Sequence, residues 1–413
     1  MPTHYALRVL VPWVVVIACP RAAPAQVRPG IEVLLSDSAH LVAGKRVGLL
    51  TNQTGIDRAG RRDVDLLRAA PGVRLTVLFS PEHGFWGTED RAPRPIARDS
   101  VSGLPIYNLY RATRAAASAE LDSLDAVLID LQDVGARYYT YIATAVLLME
   151  QATRHGKPVV ALDRPDPLGG VAVQGNVRER PAPEATLVGF LPVPMRPGMT
   201  LGELLRLAND VLGVHARLTV VPATGWRRDM YYDATGLPWV RPSPAMPDLE
   251  SALHYPGTCL FEGTNLSVGR GTALAFQVIG APWLDAAAVI RRTRDGGGGT
   301  GDGLDGVAVT ADTITPRAPT DGKYDGLRLN AIRLRATDRR RYDPTRAAVA
   351  LLAAVRAVHP DSLLFVAERF DRLAAGPELR HALVAGTAPS VVWRSWKRAL
   401  ARFRRARLKY LLY

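Results

Sequence analysis

The sequence predicts an α/β protein in two parts, a mostly parallel sheet covered by helices and then a smaller α/β (α+β) domain. Three observations carry this. Between residues 30 and 165 short apolar runs alternate with longer mixed segments, as in βα units. A polar cluster follows almost every apolar run. The length of 413 residues suits two or three domains at about 150 residues each, and 47% hydrophobic with 22% charged residues is an ordinary globular composition, not a disordered or fibrous one.

The first 25 residues stand apart from this pattern. Arg8 precedes the apolar run Val9 to Ala18, and small residues follow, which is the layout of a secretory signal peptide. Ala23-Pro24-Ala25 fits ordinary cleavage, whereas Val16-Ile17-Ala18-Cys19 fits lipoprotein processing. A secreted or periplasmic protein is expected, free or lipid-anchored at Cys19. No later apolar run reaches the roughly 18 residues of a membrane span. The remaining chain divides into an N-terminal domain over 26–235 and a C-terminal domain over 236–413. With the leader removed at the ordinary site only Cys259 remains, so no disulfide framework is expected.

Strands are expected at Arg46 to Leu50, Leu75 to Phe79, Ile106 to Leu109, Ala126 to Ile129 and Val159 to Leu162, with a helix from about Tyr138 to His155 closed by Gly156. Such a sheet is Rossmann-like, and ligands bind such sheets outside the carboxyl ends of their strands. The residues there are Asn52 after the first strand, Glu82 and His83 after the second, Asp130, Gln132 and Asp133 after the fourth, and Asp163 and Arg164 after the fifth. These clusters converge on one rim. Arg137, Tyr139 and Tyr141 fall in the first turn of the following helix, where a guanidinium and the helix dipole together favour an anion.

Further along, Thr200 and Glu203 have the spacing of a capping box for a helix over Leu201 to Leu212. Residues 219 to 265, rich in Pro, Gly, Trp and Tyr, read as long structured loops. The second part is expected to hold strands near Val307 to Thr310 and Leu327 to Leu334 and helices near Thr345 to Val358 and Pro389 to Arg402. The glycine-rich run from Gly296 to Gly306 reads as a surface loop, since no Gly-Lys-Ser/Thr follows it.

Several chemistries lack their residues. There is no G-x-G-x-x-G after the first strand, no G-x-S-x-G, no H-E-x-x-H and no C-x-x-C, so no cofactor and no metal site is expected. Carboxylates, arginines and tyrosines remain. Glu82, between Pro81 and His83-Gly84-Phe85-Trp86, could be shielded from water by the two aromatics, which would favour the protonated form a general acid needs. A glutamate that merely holds the turn fits equally well. The run from Tyr255 to Thr272 offers a second carboxylate, Glu262, with Asn265, Ser267 and Arg270 on glycine-rich backbone able to approach a ligand closely.

The charge balance is 52 basic against 39 acidic residues, or +13, and all but five of the basic residues are arginine. From Arg394 to Lys409 there are eight basic residues and no acidic one, interleaved with Trp396, Leu400, Phe403 and Leu408. This is a basic amphipathic helix. It reads either as the solvated face of a docked element or as a surface for an anionic envelope. No nucleic-acid partner is expected.

The strings LLTNQTG, SPEHGF, DLQDVGARYYTYI, LDRPDPLGG, TGLPWVRPSP, YPGTCLFEGTNLSVGRGT and IGAPW, in this order, closely resemble the bacterial exo-β-N-acetylmuramidases, over about residues 30 to 413. That resemblance implies a secreted or periplasmic glycoside hydrolase with its active-site cleft between a Rossmann-like domain and a smaller one. It also implies release of N-acetylmuramic acid from the non-reducing end of peptidoglycan fragments. Glu82 falls on the family's glutamate of the PEHGF motif and is the expected catalytic acid, with Glu262 and Asp130 as candidates for the second catalytic role. The lactyl carboxylate of muramic acid calls for an arginine, and Arg137, Arg164 and Arg270 are available. One departure is Ala245, where the family usually has asparagine. The competing reading is a non-catalytic envelope protein that binds muropeptides in the same cleft.

Overall fold

The computed structural model describes Met1 and residues 26–89, 96–110, 119–181, 187–296 and 303–413. The leader lies outside the described residues, as does 297–302 of the glycine-rich run. In chain order the first part contains strands β1 (Arg46–Thr51), β2 (Arg74–Ser80), β3 (Ile96–Arg98), β4 (Pro105–Asn108), β5 (Ala126–Asp130), β6 (Val159–Leu162), β7 (Gln174–Val177), β8 (Pro194–Arg196) and β9 (Leu218–Val221). Seven of these make one sheet in the order β3-β4-β2-β1-β5-β6-β9. All neighbours run parallel except β3, which runs antiparallel at the edge. Every residue of β5 and β6 is buried, as expected for parallel strands covered on both faces. Helix Gly30–Asp37 packs on β6 and β9 on one side, and helices Tyr141–Arg154 and Leu201–Val211 pack together on the other.

The five strands expected in the first part are present, each within one residue of its predicted ends. The capping box is present too: Glu203 N donates to Thr200 Oγ1 at 3.3 Å and Thr200 N donates to Glu203 Oε2 at 3.1 Å. One helix differs. It begins at Tyr141, and Arg137, Tyr138 and Tyr139 precede it. Gly135 takes a φ of 74°, and Arg137 N donates to Met195 O of β8 at 3.0 Å, so tertiary pairing holds this segment out of the helix.

The second part carries β10 (Val278–Ala281), β11 (Val307–Ile314) and β12 (Leu329–Ala336), an antiparallel sheet in the order β10-β12-β11. Helices Leu249–Thr258 and Ala286–Asp295 pack on it, and Pro344–Val358 packs on those two helices. Here the loop reading of 219 to 265 needs correction, because Tyr255-Pro256-Gly257 form the last turns of a helix. Gly257 is required by packing. A Cβ there would lie 1.9 Å from Pro344 O. One hydrophobic core runs through both parts, and Tyr138 and Tyr139 of the first meet Tyr255 of the second edge-to-face at 6.1 and 6.2 Å.

The basic helix spans Pro389–Ala406 and is docked through Val392, Trp393, Trp396 and Phe403. Part of its charge is structural. Arg402 pairs with Glu179 at 2.6 Å, and buried Arg407 donates to Pro197 O at 2.9 Å. Arg394, Lys397, Arg398 and Arg405 face solvent.

Candidate active site

Glu82 lies two residues beyond β2, at the carboxyl rim of the sheet. The rim is fixed there by Asn108, whose Nδ2 donates to Pro81 O at 2.8 Å. His83 and Gly84 follow with φ of 68° and 74°. A left-handed histidine is an uncommon conformation that loops tolerate where function demands it. It turns the chain away and leaves the half-buried Glu82 carboxylate accepting a hydrogen bond from Thr140 Oγ1 at 2.6 Å. Phe85 and Trp86 do not shield it. Phe85 packs into the core beneath the sheet, and Trp86 is exposed.

Glu82 opens into a cavity of about 530 Å³ between the two parts. Its walls include His83, Tyr139, Thr140 and Ser243 from the first part and the adjoining loop, and Tyr255, Glu262, Arg270, Phe276, Arg369 and Arg372 from the second. Glu262 is 6% exposed and holds two guanidiniums: Arg270 Nε donates to Oε1 at 2.6 Å, and Arg369 Nη2 lies 3.4 Å from Oε2. Burial pushes the Glu262 carboxyl up, but Arg270, Arg369 and Lys323 outweigh it and hold the group below its ordinary range. Glu262 is therefore an anion at neutral pH. It cannot serve as the proton donor. Buried Cys259, 3.9 Å from Glu262 Oε2, has its thiol pushed up by burial and by that carboxylate.

Of the residues singled out in the sequence, the cavity brings together Glu82, His83, Tyr139, Glu262 and Arg270. The others lie behind it and hold its frame. Asp130 is completely buried at the end of β5 and paired through both oxygens with Arg164, whose Nη2 donates to Oδ2 at 3.0 Å. Neither reaches the cavity. Asn52 Oδ1 accepts from Thr54 N at 3.0 Å and its Nδ2 donates to Tyr141 OH at 2.9 Å, while that hydroxyl donates to Pro242 O. Gln132 Nε2 donates to Pro165 O at 3.0 Å. Asp163 accepts from Thr200 Oγ1 at 2.6 Å and Tyr413 OH at 2.8 Å.

Among the described residues Arg137 meets no carboxylate. Its guanidinium donates to Asn176 O at 2.8 Å, Val193 O at 3.1 Å and Leu373 O at 2.8 Å, stitching the cavity wall to β7. Asn265 bonds Ser362 O and Leu364 N at 2.8 and 2.9 Å, and Ser267 Oγ accepts from Gly269 N at 3.1 Å. The glycines of this run serve packing rather than ligand approach. At Gly271, for example, a Cβ would lie 2.5 Å from Arg317 O. Ala245 is buried and does not line the cavity, although Ser243 and Met246 on either side do.

Asp133 and Asp166 form a buried acidic pair under the rim, each pushed up to about 7, chiefly by burial. Unfolded aspartates titrate near 3.9. Between about pH 4 and 7 the folded state thus holds more protons than the unfolded one, and stability falls as pH rises through that window. Asp166→Asn removes one such group. Its stability relative to the wild type should rise by about 3 kcal/mol between pH 4.5 and 7.5, read as denaturant midpoints. Parallel pH trends in the two proteins would refute this.

Residues 47–250 match the family described as exo-beta-N-acetylmuramidase NamZ, N-terminal, and residues 253–413 match exo-beta-N-acetylmuramidase NamZ, C-terminal. The chain is 37% identical over 391 residues to the peptidoglycan beta-N-acetylmuramidase NamZ of Bacillus subtilis (strain 168), covering 94% of this chain and 92% of that one. It is also similar to the crystal structure of a DUF1343 family protein from Bacteroides fragilis NCTC 9343, with a TM-score of 0.82 and 31% identity over 94% of this chain and 99% of that one. A second DUF1343 structure from the same strain gives a TM-score of 0.71 at 27% identity, with the same coverage. The α/β fold is shared with these solved structures, both halves of the chain match the family, and the chain belongs to the NamZ exo-β-N-acetylmuramidase family.

Proposed function

We propose that this protein is an exo-acting glycoside hydrolase that releases N-acetylmuramic acid from the non-reducing end of peptidoglycan fragments, with Glu82 as its general acid. The observation that carries the reading is the placing of Glu82 at a strand end, held by Thr140, in a cavity that also contains the anionic Glu262. Glu82 delivers its proton to the glycosidic oxygen as the bond from C1 to that oxygen breaks, the remaining saccharide leaves as an alcohol, and water adds its hydroxyl to C1 while its other proton restores the Glu82 carboxyl. Glu262, with both oxygens on guanidiniums, stays ionised throughout.

The decisive experiment is hydrolysis of a chromogenic β-N-acetylmuramide by the protein without residues 1–25, beside the matching N-acetylglucosaminide. Turnover of the muramide alone supports the assignment. A folded protein that binds the sugar and turns over neither substrate would be a muropeptide-binding envelope protein instead.

Export fits this activity, since peptidoglycan lies outside the cytoplasmic membrane, and the layout of residues 1–25 supports it. The solvent-facing row Arg394, Lys397, Arg398 and Arg405 further supports adhesion to an anionic envelope polymer.

A further inference from the structure

The cavity wall built by the second part carries more positive charge than it neutralises. Arg270, Arg369 and Lys323 stand around Glu262 and Asp321, three cations against two carboxylates. Arg372, also at the cavity, is already paired with Glu368 at 2.6 Å. The three cations are not equivalent. Lys323 spends its ammonium on the carbonyls of Thr264 and Leu266 at 2.7 and 2.8 Å, so it is a structural clamp. Arg270 is fixed by Glu262 and lies over the Phe276 ring at 5.0 Å.

Arg369 differs from both. Among the described residues Glu262 is its one ion-pair partner, at 3.4 Å, and its side chain is 45% exposed. Helix Ala367–Ala374 presents it at the cavity while burying Phe370, Leu373 and Ala374. Glu262 thus steers a half-exposed guanidinium that lines the cavity and that, among the described residues, no other carboxylate holds. A second guanidinium adds little to a carboxylate that Arg270 already neutralises, and half-exposed ion pairs contribute only about 0–1 kcal/mol. An anion in the cavity would meet Arg369 in the planar, charge-assisted geometry that guanidinium and carboxylate share.

We propose that Arg369, oriented by Glu262, binds the free carboxylate of the lactyl ether on C3 of the muramic acid residue and so sets the preference for a charged over an amidated lactyl group. This rests on the muramidase reading and names the part of the substrate that the cationic wall reads. Glu262 acts through Arg369 as a positioning residue. An amidated lactyl group loses the charge and turns an N–H donor toward a guanidinium that has only donors to offer.

The test compares a chromogenic β-N-acetylmuramide with its lactyl methyl amide, in wild type, Arg369→Gln and Arg369→Lys. The wild type should favour the free acid by about fiftyfold or more in kcat/KM, the range of a charge-assisted hydrogen bond. Arg369→Gln should lose about 30–100-fold on the acid, mostly in KM, and less than about threefold on the amide. Arg369→Lys should recover part of the preference, because it keeps the charge but not the fork. Equal losses on both substrates, or an undiminished preference in Arg369→Gln, overturn the proposal. Calorimetric titration with N-acetylmuramic acid and its methyl amide provides an independent reading. Absent turnover with a wild-type preference for the acid that Arg369→Gln abolishes would defeat the hydrolase reading and sustain this one. No preference in binding would defeat this one whatever the turnover.

Discussion

Glu82→Gln lowers kcat on the muramide by about 10²–10⁴-fold, the range of general acid catalysis, and leaves KM within a few-fold. The substitution is nearly isosteric, and the amide oxygen still accepts from Thr140 Oγ1, so the cavity wall keeps its shape. What is lost is the proton. A nitrophenolate leaves readily without one, whereas the alkoxide of a sugar does not, so the loss should be larger on a natural disaccharide than on a nitrophenyl muramide. Equal losses on the two would point to binding or folding and not to proton delivery. The measurement is a pair of progress curves, one for each leaving group, with the thermal midpoint of the variant as the control for folding.

Asp130→Asn is expected to act on stability and not on chemistry. Asp130 and Arg164 are 0% and 4% exposed, and removing one partner of such a pair leaves an uncompensated buried charge, at a cost of about 3–5 kcal/mol. Arg164 also donates to Ile56 O at 2.9 Å, so the loop after β1 should loosen with it. The denaturant midpoint should fall accordingly, while kcat per folded molecule stays within about threefold, since neither residue reaches the cavity. An unchanged midpoint with lost turnover would return Asp130 to the catalytic machinery.

The contrast between Glu82 and Asp130 separates what the sequence makes legible from what it does not. The parallel strands were readable because they are buried on both faces and appear as continuous apolar runs, Ala126 to Ile129 and Val159 to Leu162 among them. The rim rule then placed Glu82 at the site, and the polar run after Tyr255 supplied Glu262 and Arg270. The same rule drew in Asn52, Asp130, Gln132, Asp163 and Arg164, which hold the rim loops from below. Short polar side chains after a strand serve a ligand or a loop backbone equally well, and no spacing distinguishes the two. Arg369 was missed for the opposite reason. It sits in Ala367–Ala374, an amphipathic helix whose charged face reads as ordinary solvated surface until the fold turns it toward Glu262. Gly257 and Gly271 show the third difficulty, since tight internal packing and close approach to a ligand ask for the same residue.

The ring contacts of Tyr138 and Tyr139 with Tyr255, continued from Tyr255 to Phe276 at 4.6 Å, bear on how saccharides come and go. Many enzymes with a site between two lobes open and shut like a jaw. Here the jaw is welded, because the rings of one lobe are set edgewise into those of the other and prising them apart would expose a shared core. Sugar traffic must then pass through the mouth of a standing chamber, beside the half-exposed Arg369 and Arg372. If Arg369 holds the lactyl carboxylate as proposed, the physical step to expect is the escape of a charged sugar past that gatepost and not the swing of a door.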